Sequence, residues 1–283
     1  MTPVQRPARI AAVDPVGEYT RLRLDAPDVA KAALPGQFIA VSVGGATSSL
    51  LLRRAFAVYL VHERAVEIVV AAHGPGTSWL VRQRPGRVID VVGPLGRPFP
   101  EPEREGPVVV VGGGYGAAAL VEQVRRLRAH GRAVTAVVGA GTGAKLVAVS
   151  ELEGLGAEVF VATDDGSAGT RGLVTDLLAG SASSALGHAV AVYACGPMAM
   201  LAATSAAAAQ AGVPSWCSVE ESMACGIGVC MTCVLPVVGE DGQTRMLRSC
   251  VSGPTFRGDT VRWAEVGTIP ADCLGAPSGS GGH

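Results

Sequence analysis

Three cysteines within nine residues constrain this chain more than any other stretch. Cys225-Gly226-Ile227-Gly228-Val229-Cys230-Met231-Thr232-Cys233 has the spacing C-x4-C-x2-C, and a fourth cysteine, Cys250, follows after sixteen further residues. A triplet of this spacing with a distant fourth thiol is a cradle for a 2Fe–2S cluster. Four thiolates must converge on two irons, so three come from one tight loop and the fourth from a separate element. Gly226 and Gly228 let that loop turn and keep its N–H groups close to sulfur. Zinc is the competing occupant, but structural zinc sites favour two C-x2-C pairs and this chain has one. Disulfides or inert buried thiols explain the spacing least well.

The remaining composition narrows the class. The chain has 283 residues, room for two domains or slightly more, and 48% of them are apolar. A net charge of -1 with 17% charged residues excludes the basic surface of a nucleic-acid binder. No apolar run is long enough to span a membrane and no signal peptide opens the chain, so a cytoplasmic protein without membrane contact is expected. Seven cysteines, four at cluster spacing, suit a reducing compartment. The Gly/Ser-rich end, residues 274–283, reads as a disordered tail.

Residues 1–103 read as all-β. Short runs at Arg9–Val13, Tyr19–Asp25, Gln37–Val43, Ala55–Val61, Ala65–Ala72 and Val88–Val92 predict a six-stranded antiparallel barrel, with a short helix over Thr77–Arg84. From Pro107 the pattern alternates. Strands are expected at Val108–Val111, Ala133–Val138, Ala157–Thr163 and Ala189–Ala194, and helices at Ala117–His130, Ala144–Leu155, Leu173–Leu178 and Met198–Ala211. That is a doubly wound parallel sheet over residues 104–213. Residues 214–273 form a third, cluster-bearing region with short strands.

Several motifs sit at places where such folds bind ligands. Gly112, Gly113, Gly114 and Gly116 lie between the first parallel strand and its helix, where glycines let a pyrophosphate approach backbone N–H groups. A turn that merely packs helix on strand explains them too. The acid expected about 20 residues on is missing, because the second strand ends in Gly139-Ala140-Gly141. Cys195-Gly196-Pro197 follows the fourth strand, where a small side chain can line a nicotinamide site or simply be buried. Asp164 and Asp165 end the third strand as ribose ligands or as turn formers. Arg53-Arg54-Ala55-Phe56-Ala57 combines cations with apolar positions, as a phosphate and ring site requires, or is an exposed basic pair. Gly74-Pro75-Gly76-Thr77 offers a second phosphate contact. His62, His73, His130 and His188 show no ligand spacing and read as surface or helix-end residues.

Arg54-Ala55-Phe56-Ala57, then Gly76-Thr77, the Gly-rich turn and Cys195-Gly196-Pro197 together resemble the ferredoxin–NADP reductase superfamily. With the cysteine cradle, Thr163-Asp164-Asp165-Gly166-Ser167 and Glu220-Glu221-Ser222-Met223-Ala224-Cys225-Gly226, the chain is similar to electron-transfer subunits of NAD-dependent dihydroorotate dehydrogenases over residues ~5 to 270. The resemblance implies FAD on the barrel, along Arg54, Ala55, Phe56 and Ala57, against Val69, Val70 and Ala71, with Gly76 and Thr77 at its pyrophosphate. It implies NAD on the second domain and a 2Fe–2S cluster on Cys225, Cys230, Cys233 and Cys250. It further implies an FMN-containing catalytic subunit as partner, two copies of each, with electrons passing from dihydroorotate to NAD in pyrimidine synthesis.

Two departures stand out. The family's flavin strand usually carries Pro and Ser where Ala55 and Ala57 stand here, so a hydroxyl near the flavin is lost. The first helix usually reads Ala-Pro-Leu, and here it is Ala118-Ala119-Leu120. The runner-up reading is the small flavin subunit of an NAD(P)H:ferredoxin oxidoreductase or sulfhydrogenase. A redox sensor with no enzymatic role is the third.

Overall fold

The computed structural model describes residues 2–45 and 47–276, so most of the expected tail lies outside it. The N-terminal half is a seven-stranded antiparallel sheet rather than the six strands expected. Its strands are β1 (Val4–Val16), β2 (Tyr19–Asp25), β3 (Phe38–Val41), β4 (Arg54–Ala57), β5 (Leu60–Val61), β6 (Ala65–Val70) and β7 (Val88–Leu95), in the order β4-β3-β7-β1-β2-β6-β5. The run Ala55–Val61 splits because the chain changes partner inside it. Val58 N–H donates to Gln37 beside β3 (3.0 Å), and Tyr59 N–H donates to Glu67 on β6 (2.8 Å). These two residues step from one edge of the sheet to the other and close the barrel around Ile10, Leu22, Leu24, Ile39, Val66 and Ile68. Helix α1 (Pro27–Ala32), with Pro27 at its start, was not expected; α2 (Pro75–Val81) was, a little later.

The second half is a seven-stranded mixed sheet. It contains β8 (Val108–Gly113), β9 (Val134–Ala140), β10 (Glu158–Thr163), β11 (Thr170–Arg171), β12 (Ala191–Cys195), β13 (Ser215–Ser218) and, beyond the hairpin β14 (Val234–Val238)–β15 (Thr244–Arg248), β16 (Thr255–Arg257). Their order is β11-β10-β9-β8-β12-β13-β16, parallel except for β16. Helices α3 (Ala118–Ala129) and α4 (Val149–Gly154) cover one face, packing on Val108, Val110 and Val134. Helices α5 (Val174–Ala179), α6 (Ser183–His188) and α7 (Met198–Gln210) cover the other, over Val109, Val111 and Val137. The near-continuous valine run of β8 is therefore buried on both sides.

The first half of the helix expected over Ala144–Leu155 is absent. A 3-10 turn at Gly143–Lys145 is followed by a break at Ala148, which takes a left-handed φ of 70° before α4 begins. The cause is packing against the barrel, where Glu18 N–H donates to Ala144 O (3.1 Å) and Tyr19 Oη to Lys145 O (3.2 Å). Strands β13 and β16 also extend the nucleotide sheet past the expected boundary at 213/214, so the cluster segment hangs from the edge of that sheet.

The two halves are clasped beside the strand switch. Glu122 of α3 accepts Val61 N–H (3.0 Å) and an Arg125 N–H (2.6 Å), while Arg125 also donates to Val61 O (2.8 Å). Glu122→Ala leaves the Val61 donor without its partner at a largely buried seam. A loss of about 1–3 kcal/mol in unfolding free energy is expected, measured by urea denaturation.

Candidate functional site: a cleft between three segments

The order of the second sheet reverses beside β8, so the turns after β8 and β12 diverge and leave a crevice at their carboxyl ends. A cleft of about 360 Å³ occupies it. The barrel supplies Ala55, Phe56, Ala57, Val69, Ala71 and Thr77. The sheet supplies Tyr115, Gly116, Ala118, Ala119 and Cys195. The segment leading to the cysteines supplies Ser218 to Met223, with Pro254.

The geometry divides the expected residues. Strand alternation turns Val69 and Ala71 toward the cleft and buries Val70 in the barrel core, 1% exposed. Arg54 stands behind the lining residues Ala55 and Thr77, with its guanidinium against Gly76 and one Nη donating to Leu52 O (2.6 Å). A Cβ there would meet Arg54 Nε at 3.0 Å, so glycine leaves room for the cation beside the backbone. Thr77 Oγ1 accepts the N–H groups of His73 (3.0 Å) and Gly74 (3.1 Å) and orders the same corner. Arg53, in contrast, turns away and pairs with Asp90. Of the basic pair, Arg54 alone is placed beside the cleft.

Three glycines of the Gly-rich turn are consumed by packing. A Cβ on Gly112 would meet Ala117, one on Gly113 would meet Pro197 and Met200, and one on Gly116 would come within 2.7 Å of Gly196 Cα. The turn and the Cys195-Gly196-Pro197 turn touch because both are glycine at the contact. Of the four, only at Gly114, with φ 53°, would a Cβ enter open space, meeting nothing nearer than the Tyr19 hydroxyl at 4.0 Å.

Cys195 lies in the cleft wall, and burial pushes its thiol up to about 12, so it is a neutral lining group and no nucleophile. Three polar residues in this wall escaped sequence reasoning. Tyr115 packs edge-on against Tyr19 and tilted against His73, with ring centres 6.1 Å apart in each case. Its hydroxyl donates to Glu220 Oε2 (3.3 Å). Burial, followed by the nearby Glu220 charge, raises Tyr115 to about 12. Glu220 reaches solvent at the cleft mouth, yet the surrounding protein desolvates it and raises its pKa. The tyrosine had no signal beyond its place inside the Gly-rich turn, and Glu220 stood in the Glu220–Gly226 stretch that carries the family resemblance but had no role assigned to it. His73 reads as a surface residue but stands on the cleft, and His62 meets buried Glu67 at 3.0 Å.

The four cysteines gather as two pairs. Cys225 and Cys230 have their thiols 3.3 Å apart, and Cys250 lies against Cys233. The hairpin makes the second pair. Cys233 directly precedes β14, Arg248 pairs with Val234, and Ser249 donates both N–H and Oγ to Cys233 O (2.8 Å each), which sets Cys250 beside Cys233. N–H groups of Cys230, Ile227 and Val229 point at Cys225 sulfur, and Gly226 and Gly228 take φ of 71° and 83°. Hydrogen bonds from Thr232 draw Cys230 down to about 6, while burial pushes Cys250 up to about 12. Burial alone keeps Cys250 a neutral thiol, and only a cation beside it would favour the thiolate. Among the described residues no three His, Cys, Asp or Glu side chains are placed around a single ion. Two thiol pairs suit two irons with two thiolates each, and so fit a 2Fe–2S cluster better than tetrahedral zinc.

The cleft and the cysteines share a wall. Phe38 lines the cleft and also packs with Ala40, Leu95, Cys233 and Cys250; Met223 lines the cleft and packs on the same cluster. One layer of side chains separates the two sites.

Comparison with known proteins places this architecture. The nitric oxide dioxygenase FAD/NAD-binding domain of Vibrio cholerae superposes with a TM-score of 0.62 at 20% identity, covering 74% of this chain and 94% of that one, which establishes the reductase fold alone. The solved NADH-dependent reduced ferredoxin-NADP oxidoreductase contains a chain with a TM-score of 0.78 and 32% identity, covering 92% of this chain and 91% of that one. Residues 220–262 match the family model for the iron-sulfur cluster binding domain of dihydroorotate dehydrogenase B. The electron transfer subunit of dihydroorotate dehydrogenase B (NAD(+)) from Desulforamulus reducens is 36% identical over 90% of this chain and 97% of its own length. The Geobacillus kaustophilus subunit of the same name is 37% identical over 80% and 86%. The chain belongs to this family of electron-transfer subunits.

The raised pKa of Glu220 fixes a sign. The folded protein holds that proton more tightly than the unfolded chain, so this group's contribution to stability falls as pH rises above the ordinary carboxylate range near 4.5. Glu220→Gln removes the fall. The variant is expected to melt higher than wild type at pH 7, with the difference closing as pH drops through 4.5, followed by thermal denaturation across pH.

Proposed function

We propose that this chain is the electron-transfer subunit of an NAD-dependent dihydroorotate dehydrogenase. It takes electrons from the FMN of a separate catalytic subunit and delivers them to NAD+ by way of a 2Fe–2S cluster and FAD, for pyrimidine synthesis. The observation that carries the reading is the shared wall of Phe38 and Met223 between the thiol pairs and the cleft. A one-electron carrier and a flavin need such proximity, because the flavin, when bound, converts between single electrons and hydride.

Each residue has a role in that reading. Arg54, Gly76 and Thr77 hold the flavin's phosphates. Ala55, Phe56, Ala57, Val69 and Ala71 line its ring system and exclude water. The turns at Gly112–Gly116 and Cys195–Pro197 shape the nicotinamide side, where Cys195 stays uncharged and Tyr115 and Glu220 close the edge. Cys225, Cys230, Cys233 and Cys250 ligate the cluster. Ile227, Val229 and Met231 project from the cysteine loop at 53%, 78% and 59% exposure, and this uncharged tip is the face for the catalytic subunit. In this reading the assembly holds two copies of each subunit in the cytoplasm; no helix among the described residues is long and apolar enough to cross a membrane.

The purified complex, mixed with dihydroorotate and NAD+, should raise absorbance at the NADH band. Silence there, with the flavin still reducible by NADH, would redirect the search to another donor. The likeness to the reduced ferredoxin-NADP oxidoreductase makes ferredoxin and NADPH the second pair to try. Cys230→Ser should abolish the cluster's visible absorbance and cut dihydroorotate-to-NAD+ turnover at least ~100-fold, while NADH still reduces the flavin. An intact cluster spectrum in that variant would remove Cys230 from the ligand set.

A further inference from the structure

One side chain ties the cysteine loop to the hairpin that returns Cys250. Arg248 ends β15, two residues before Cys250, and its Nη1 donates to Gly228 O in the middle of the loop. The contact needs glycine at that point. Gly228 takes a φ of 83°, and a Cβ on it would come within 2.5 Å of Val251 Cγ2, so only bare backbone can seat the loop against the end of the hairpin.

The carbonyl that Arg248 holds belongs to the peptide group whose N–H is that of Val229. That N–H points at Cys225 sulfur, beside those of Ile227 and Cys230, the last at 3.4 Å. The N–H of Gly228 itself points at Cys250 sulfur. Gly228 thus bears on both thiol pairs, and one peptide unit separates the guanidinium from Cys225. A cation on a carbonyl oxygen polarises the whole peptide group and strengthens the bond that its N–H makes on the far side. Nothing neutralises this cation locally. Arg248 is half-buried and forms no ion pair among the described residues, and the chain from Met223 to Pro236 carries no acid. The other arginine of the strand differs, because Arg245 is paired with Asp241 near the hairpin's turn (2.6 Å).

We propose that Arg248 sets the electron affinity of the cluster, acting through the Gly228 carbonyl on the sulfur of Cys225. One electron added to a cluster on these thiolates adds one negative charge and makes or breaks no bond. Arg248 favours that more negative state in two ways, with its own charge and through the strengthened N–H···S bond. It is a positioning residue and not a ligand. The inference rests on the four-cysteine assignment proposed above, and its test separates the two.

The intact holoprotein is titrated with dithionite in the presence of redox mediators, and the electron paramagnetic resonance of the reduced cluster reports its midpoint potential without turnover. Arg248→Gln is expected to weaken electron uptake by about tenfold, a fall of about 59 mV for one electron, at unchanged iron content. Arg248→Lys keeps the charge but not the planar fork, and should weaken it by only about threefold. The Lys variant carries the test alone if the Gln variant sheds its cluster. Arg245→Gln should keep the wild-type potential. No fall in a cluster-bearing Arg248 variant, a fall in the Lys variant as large as in the Gln variant, or an equal fall in Arg245→Gln overturns the assignment and leaves the four ligands standing. Loss of the cluster from both Arg248 variants makes the residue a structural brace alone and overturns it likewise. Wild type without an iron–sulfur signal overturns both readings.

Discussion

One pairing, Ser218 with Thr255, holds the functional parts of the chain in register. It is the last of the three rungs that join β13 to β16, and it closes everything from residue 219 to residue 254 into one excursion from the edge of the nucleotide sheet. The first residues of that excursion, through Met223, become cleft wall. The next ten carry three cysteines, the hairpin returns the fourth, and Pro254 comes back to the cleft. The cluster segment is therefore not a domain on a linker. Both of its ends are fixed to the strand beside β12, so the distance from thiols to cleft is set by sheet hydrogen bonds and not by a flexible tether.

Within the cleft, the chain favours neutrality. Cys195 is held as a thiol, Tyr115 as a phenol, and Glu220 is drawn toward its protonated form, each mainly because burial penalises charge. Ala55 and Ala57 extend this apolar character along β4. Arg54 stands beside the phosphate-side corner at Gly76, and the only carboxyl groups on the cleft wall, Glu220 and Glu221, have their pKa values raised by burial. A ligand with a flat neutral centre and a charged extremity is complementary to that distribution.

Much of this was legible in the sequence because the signals were local. The valine run of β8, the Gly-rich turn after it and the C-x4-C-x2-C spacing each depend on residues close in the chain, and each stands where it was expected. The mistakes arose where distant contacts overrode local pattern. The run Ala55–Val61 is a continuous β-former, yet partners on opposite edges of the barrel divide it at Val58 and Tyr59. Ala144–Leu155 has helix-forming composition, yet docking on the turn at Glu18 and Tyr19 unwinds its first half. Asp164 and Asp165 are indistinguishable as letters, and only the bonds from Ser167 to Asp165 separate them. Tyr115 and Glu220 lie 105 residues apart, so no spacing rule could have joined them.

The hairpin β14–β15 makes the gap between the third and fourth cysteines a matter of parity. Cys233 and Cys250 sit at its open end, and the turn at Gly239–Gln243 lies at the other. Residues added at the tip in cross-strand pairs would lengthen the ladder outward and leave both thiols where they are. A single residue added within one strand would turn the rest of that strand over, carrying Ser249 away from the Cys233 carbonyl and Cys250 out of the shell. The interval of sixteen residues can therefore change at the turn, or by cross-strand pairs, without disturbing the thiols, but not by an unpaired residue inside either strand.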